Sequence, residues 1–196
     1  MSSQALNHDH HGPNAKVIFG FWMFILSDCI MFATLFASYV VLKDATFGGV
    51  GIKDIMNLHF ELLLSIVLLV GSLTYGFSSL AFDQGKKGAM VIWLLATFAA
   101  ALAFVLLEQH QFAALIAAGH DWKGSAFLSI FFTLLGVHWI HVIVSIAWMA
   151  ILLIQFMTHG LNDVMRTRLT CLGMFVNFLN IIWIFIFTMV YLMGAI

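Results

Sequence analysis

Five long runs of apolar residues, separated by short polar segments, dominate the hydropathy pattern of this chain. They extend over about residues 17–42, 58–82, 89–110, 126–157 and 169–194. A helix needs roughly 20 apolar residues to cross the hydrocarbon core of a membrane, and each run is long enough. The runs do not alternate between apolar and polar residues, as the strands of a membrane barrel do. The pattern therefore predicts an all-α fold, an integral membrane bundle of five transmembrane helices.

The segment before the first run is polar. We predict that residues 1–16 form a disordered cytoplasmic tail and that residues 17–196 form a single transmembrane domain. The tail carries three closely spaced histidines, His8, His10 and His11. Such a tract can bind metal weakly, but a solvated tail is the commoner case and the interpretation we favour.

The composition agrees with a protein that faces lipid. Only 9% of the 196 residues are charged, whereas a soluble domain keeps about a quarter of its residues charged. The net charge of −1 gives no reason to expect a nucleic-acid partner. Cys29 and Cys171 both lie in apolar runs, so we interpret them as small buried residues rather than as a disulfide or a metal pair.

The basic residues predict an orientation. One side of the predicted bundle holds five of them and the other side three. The five are Lys16, Lys86, Lys87, Arg166 and Arg168, and the three are Lys43, Lys53 and Lys123. Because basic residues accumulate in cytoplasmic segments, the N-terminus is predicted to be cytoplasmic and the C-terminus periplasmic. Aromatic residues near the span ends are predicted to be interfacial anchors: Trp22, Trp93, Trp122 and Tyr191.

A single acidic residue interrupts the first run. Asp28 lies about 17 Å into this span at 1.5 Å per residue, close to the centre of the bilayer. An acid at this depth is costly and is by default a functional hypothesis. Asp28 is therefore the candidate buried acid, either for helix packing or for proton uptake.

Two further acids lie toward the predicted outer side. Glu61 is near the start of the second run and Glu108 is near the end of the third. Depth near the interface lowers the cost of a charge. We expect both side chains to be solvated or to face lipid headgroups. The alternative is that they belong to a polar or lipid-lined cleft between helices.

Two helices carry pairs of polar residues. His138 and His141 are three residues apart and thus share a face of the fourth helix. They are interpreted as an interhelical hydrogen-bonding face. Ligation of haem is disfavoured because no histidine on another helix lies at a similar depth. Asn177 and Asn180 form a similar pair on the fifth helix. We predict no catalytic, metal-binding or cofactor-binding residue in this chain.

Three motifs resemble those of subunit III of haem–copper terminal oxidases. The first is the run from Gly20 to Phe32, GFWMFILSDCIMF, with its Ser-Asp pair. The second is the run from Gly136 to Val142, GVHWIHV, similar to the Gly-x-His-Gly-x-His-Val of that family. The third is the run from Phe178 to Trp183, FLNIIW, where the family has His-Phe-x-Asp-x-x-Trp. They occur in the family's order and on the expected helices.

The resemblance implies a role without a redox centre on this chain. In the family, subunit I carries the haems, the copper and the proton-pumping channels. Subunit III binds beside it, supports assembly, durability during turnover and proton uptake, and holds lipid in a cleft. The implied partners are subunits I, II and IV and membrane phospholipids. The implied location is the bacterial inner membrane, which the chain would cross several times.

The five-helix form is typical of bacterial members. The Ser-Asp pair, Arg166-Thr167-Arg168 and the ending from Val190 to Gly194 look most like the cytochrome o ubiquinol oxidase branch. In that branch the complex oxidises ubiquinol and reduces oxygen to water.

The sequence departs from the family at several motif positions. Asn177 and Asn180 stand where the family has ionisable residues, and Trp139 replaces a glycine. Three alternatives stay open: subunit III of a bacterial cytochrome c oxidase, a stand-alone membrane transporter and a haem-binding membrane anchor. The transporter is disfavoured because neither inverted repeats nor broken helices are found.

Overall fold

The chain is described by a computed structural model that covers residues 13–55, 57–159 and 162–195. Those residues are helical apart from short connections, and five helices are long and apolar enough to cross a membrane. The long helices are α1 (Pro13–Leu42), α3 (Leu58–Asp83), α4 (Lys87–Ala117), α5 (Ala126–His159) and α6 (Asp163–Ile186). The short ones are α2 (Ile52–Ile55), a π-helical segment (Phe187–Leu192) and α7 (Met193–Ala195). The predicted all-α bundle of five spans is confirmed.

The helices are longer than the apolar runs that predicted them. The first begins at Pro13, a residue favoured at the first helical position because it lacks an N–H group. Helix α4, the third span, continues to Ala117, and helix α6, the fifth span, begins at Asp163. Hydropathy reports contact with lipid, whereas helical hydrogen bonds continue into the headgroup region. The predicted histidine cluster of the tail lies outside the described residues.

The sixth helix is the centre of the bundle. In the most apolar 18-residue stretch of this span, 67% of the residues are buried, against 17–33% in the other four spans. It packs against α1, α3 and α5, while α3 also packs along α4, and α4 along α5. Helices α3, α4, α5 and α6 thus pack as four neighbours, and α1 lies against α5 and α6. Helix α6 therefore has other helices on three sides. A glycine in the left-handed region, Gly85 at φ +69°, makes the tight turn between α3 and α4.

Polar contacts fix which helix ends meet. Arg166 donates to Asp83 Oδ1 at 2.8 Å, which joins the start of α6 to the end of α3. Arg168 donates to Gln155 Oε1 at 2.5 Å, which joins it to the end of α5. These arginines therefore lie at the same end of the bundle as Lys86, as the alternation of the spans predicted. That this end is cytoplasmic stays a prediction.

Candidate functional site

The mid-membrane acid of α1 faces a histidine of α5. Asp28 is 9% exposed, and its Oδ2 lies 3.8 Å from Nε2 of His141. The other ring nitrogen, Nδ1, is 2.7 Å from the carbonyl oxygen of Val137. Because a carbonyl only accepts, Nδ1 carries a proton and donates it there, which leaves Nε2 directed at the carboxyl. The two groups form a pair of proton donors and acceptors inside the bundle.

Two aromatic rings pack against the histidine of this pair. The ring centroid of Phe32 is 5.5 Å from that of His141, and that of Phe175 is 6.2 Å away. Phe32 also lines a cavity of about 560 Å³ between α1 and α6, with Cys29, Phe178 and Asn177 among the other lining residues. The walls are almost entirely apolar, so the cavity suits a hydrocarbon chain better than a polar solute.

The second histidine of α5 faces different neighbours. His138 is fully buried, and its Nε2 lies 3.2 Å from the carbonyl oxygen of Leu179 on α6. Its ring centroid is 5.3 Å from that of Trp183 and 5.7 Å from that of Phe104. His138 thus makes an interhelical hydrogen bond, as its spacing predicted, whereas His141 is directed toward α1.

Each of the two histidines has one ring nitrogen against a backbone carbonyl, an arrangement that also occurs in histidines that bind metal. Nε2 of His138 and Nδ1 of His141 each contact a backbone carbonyl. Within the described residues, no three His, Cys, Asp or Glu side chains gather as a metal site would require. That the chain binds neither haem nor copper stays a prediction.

The two acids expected at the interface are buried. Glu61 is 0% exposed and Glu108 is 1% exposed, so the prediction that they are solvated or face headgroups is wrong. Glu108 is not at a helix end, because α4 continues past it to Ala117. Gln111 Nε2 donates to Glu61 Oε1 at 2.5 Å. The alternative prediction, a polar cleft between helices, agrees with this burial.

The structure corrects two further predictions and adds a residue to this acidic region. Tyr191, predicted to be an interfacial anchor, is fully buried in the π-helical segment, a wide turn that often occurs at functional sites. Trp22 and Trp122 are half exposed, as anchors should be. Cys29, predicted to be buried, is exposed, while Cys171 is buried as predicted.

The two asparagines of α6 differ in their surroundings. Asn177 is exposed, and its Oδ1 accepts a hydrogen bond from Ser72 on α3 at 2.9 Å. Asn180 is buried, and its Nδ2 has no hydrogen-bond partner. Asn177 thus joins α6 to α3 by its side chain.

Comparison with known proteins shows similarity over almost the whole chain. The family described as cytochrome c oxidase subunit III matches residues 2–195. A cytochrome bo(3) ubiquinol oxidase subunit 3 of Pseudomonas aeruginosa is 45% identical over 190 residues, which cover 96% of this chain and 91% of the relative. The protein of that name in Buchnera aphidicola is 38% identical over 196 residues, 100% of this chain and 95% of the relative. A quinol oxidase subunit 3 of Bacillus subtilis is 36% identical over 177 residues, 90% of this chain and 87% of the relative.

Proposed function

Since this chain belongs to the cytochrome c oxidase subunit III family, we propose that it is the third subunit of a bacterial respiratory ubiquinol oxidase. The observation that carries the proposal is the similarity to quinol oxidase subunits over at least 90% of the chain. The complex would oxidise ubiquinol, reduce oxygen to water and move protons across the inner membrane. The chain itself would cross that membrane five times with its N-terminus in the cytoplasm.

The redox chemistry would reside on other subunits. Haems and copper on subunit I would supply electron transfer and oxygen reduction, as the resemblance to subunit III implies. Subunits II and IV would complete the complex. The exposed apolar faces of the long helices offer surfaces for these subunits and for phospholipid. The apolar cavity between α1 and α6 would hold an acyl chain.

This chain would support the complex through the pair formed by Asp28 and His141. The carboxyl and Nε2 are 3.8 Å apart, so a small movement brings them within hydrogen-bond distance. Such a pair can hold a proton at mid-membrane depth without leaving an unpaired buried charge. Its proposed role is to supply protons to subunit I and to fix the packing of α1 on α5.

Purification through a tag on this chain tests membership of the complex. Gentle solubilisation is expected to yield a haem–copper complex with ubiquinol oxidase activity, whose subunits mass spectrometry identifies. The chain separated from it should show no haem absorbance. A colourless chain that purifies alone and transports a solute would contradict the proposal. A complex that oxidises cytochrome c instead of ubiquinol would contradict the proposed electron donor.

Asp28→Asn is expected to lower the number of protons pumped per electron and to shorten the active lifetime during turnover severalfold. Asparagine keeps the size of the side chain but cannot take up a proton. His141→Gln should produce the same two defects, because it removes the other member of the pair. Proton release from proteoliposomes and loss of oxygen consumption with time measure the two effects.

The matched control is Asp83→Asn, which neutralises an exposed acid that pairs with Arg166 at the surface. Exposed pairs contribute about 0–1 kcal/mol, so pumping and lifetime should stay at wild-type values. If Asp28→Asn also pumps normally and lasts as long as the wild type, Asp28 has only a structural role.

A further inference from the structure

A second group of buried polar residues lies at the end of the bundle opposite Asp83 and Arg166. It is formed by the two acids near the start of α3 and within α4, Glu61 and Glu108, with Gln111 of α4 and Tyr191 of the π-helical segment. Several of its buried atoms have no hydrogen-bond partner: Glu61 Oε2, both carboxyl oxygens of Glu108, Gln111 Oε1 and the Tyr191 hydroxyl. These unpartnered atoms, nearly all on fully buried side chains, require an explanation.

The group has more hydrogen-bond acceptors than donors when both acids are ionised. The two carboxylates and the Gln111 carbonyl supply five acceptor oxygens, while the Gln111 amide and the Tyr191 hydroxyl supply three donor hydrogens. One of those hydrogens is used between Gln111 and Glu61. At least two acceptor oxygens would therefore stay unsatisfied away from water, which is costly.

Charge points the same way as the hydrogen bonds. The ion pairs of His141 with Asp28 and of Arg166 with Asp83 do not involve Glu61 or Glu108. The two carboxyls interact electrostatically with each other and with the Tyr191 hydroxyl, and Tyr39 of α1 also interacts with Tyr191. None of these facing groups is basic. Two like charges in a region of low dielectric are strongly unfavourable.

One proton removes both problems. Protonation of one carboxyl converts an acceptor oxygen into a donor, so the count changes from five acceptors and three donors to four of each. It also removes one of the two negative charges. We propose that Glu61 and Glu108 form a proton-binding site in which the pair holds one shared proton, separate from Asp28 and His141. This site goes beyond the proposed function. It does not depend on any role of Asp28 and His141 in proton uptake.

A hard metal cation is the competing occupant. Calcium takes six to eight oxygen ligands, and the group offers five acceptor oxygens and one phenol, of which Glu61 Oε1 already accepts from Gln111. A bound cation would keep both carboxyls ionised, whereas a shared proton leaves one of them protonated. The two occupants therefore differ in a property that can be measured.

Infrared spectroscopy of the purified complex tests the proposal. A difference spectrum between the wild type and the double variant Glu61→Gln with Glu108→Gln should show the loss of one protonated-carboxyl band. This band should shift when the buried proton exchanges for deuterium. Glutamine keeps the size of each side chain but cannot carry a carboxylic-acid proton. The single variants, Glu61→Gln and Glu108→Gln, should each shift or remove the same band, and they serve if the double variant does not assemble.

Two further measurements could contradict the proposal. Asp83→Asn, an exposed control, should leave the band unchanged. Elemental analysis should find the same content of calcium and magnesium per complex in the wild type and in the double variant. A carboxyl band that persists in the double variant would overturn the shared proton. A double variant that loses one divalent ion per complex would replace it with a cation site.

Discussion

Gly173→Ala is expected to loosen the contact between α3 and α6 and to lower the temperature at which this chain dissociates from the purified complex. A Cβ atom at this position would lie 2.6 Å from Cε1 of Tyr75, well inside van der Waals contact. The Tyr75 ring is held in place because its hydroxyl donates to the carbonyl oxygen of Leu169 on the same helix as Gly173. Inserting one carbon into such a contact costs about 1–3 kcal/mol.

The chain offers a matched control on α5. A Cβ atom at Gly136 would meet nothing within 4 Å, so Gly136→Ala should leave the dissociation temperature unchanged or raise it slightly. Combining Gly173→Ala with Tyr75→Ala should cost less than the sum of the two single changes, because the clash disappears with the ring. An unchanged dissociation temperature in Gly173→Ala alone would mean that α3 and α6 can separate without cost at this point.

The position of the long helices followed from hydropathy, but their ends did not. Apolar residues are needed only where a helix touches lipid. Helix α4 continues beyond its apolar run to Ala117, and helix α6 begins before its apolar run, at Asp163. The short connection after Asp83 correctly predicted that α3 and α4 are neighbours, since so few residues cannot reach a distant helix. Nothing in the hydropathy indicated that α6 would occupy the centre, because its first turns carry Arg166 and Arg168.

The sequence identified the candidate acids but not their surroundings. Asp28 stood out because a charge in an apolar run is rare, yet its partner His141 is distant along the chain and only the packing of α1 on α5 brings them together. Glu61 and Glu108 were misjudged because depth along a helix says nothing about which way a side chain faces. Tyr191 was predicted to be an anchor for the same reason, but it is buried within the π-helical segment.

Trp183→Ala is expected to have the largest effect of the substitutions considered, a loss of about 3–5 kcal/mol of stability. Trp183 is 1% exposed, and its ring centroid is 4.8 Å from that of Phe104 on α4. Its Nε1 donates to Ser65 Oγ on α3 at 2.9 Å. The side chain of α6 thus joins three helices. Truncation leaves a cavity that lipid cannot fill, because the site is enclosed by protein. We expect little of this chain to remain on the purified complex.

Smaller changes separate packing from hydrogen bonding at the same place. Trp183→Phe keeps most of the ring but loses the N–H donor. Ser65→Ala removes the acceptor, together with the hydrogen bond that the hydroxyl donates to the carbonyl oxygen of Glu61. Each should cost about 1 kcal/mol, and the double variant should cost less than the sum if the two losses concern one bond. Trp122→Ala, at a half-exposed tryptophan, should leave assembly intact. Retention of Trp183→Ala on the complex at the wild-type level would show that α3, α4 and α6 stay together through their other contacts, and that the ring is not what joins them.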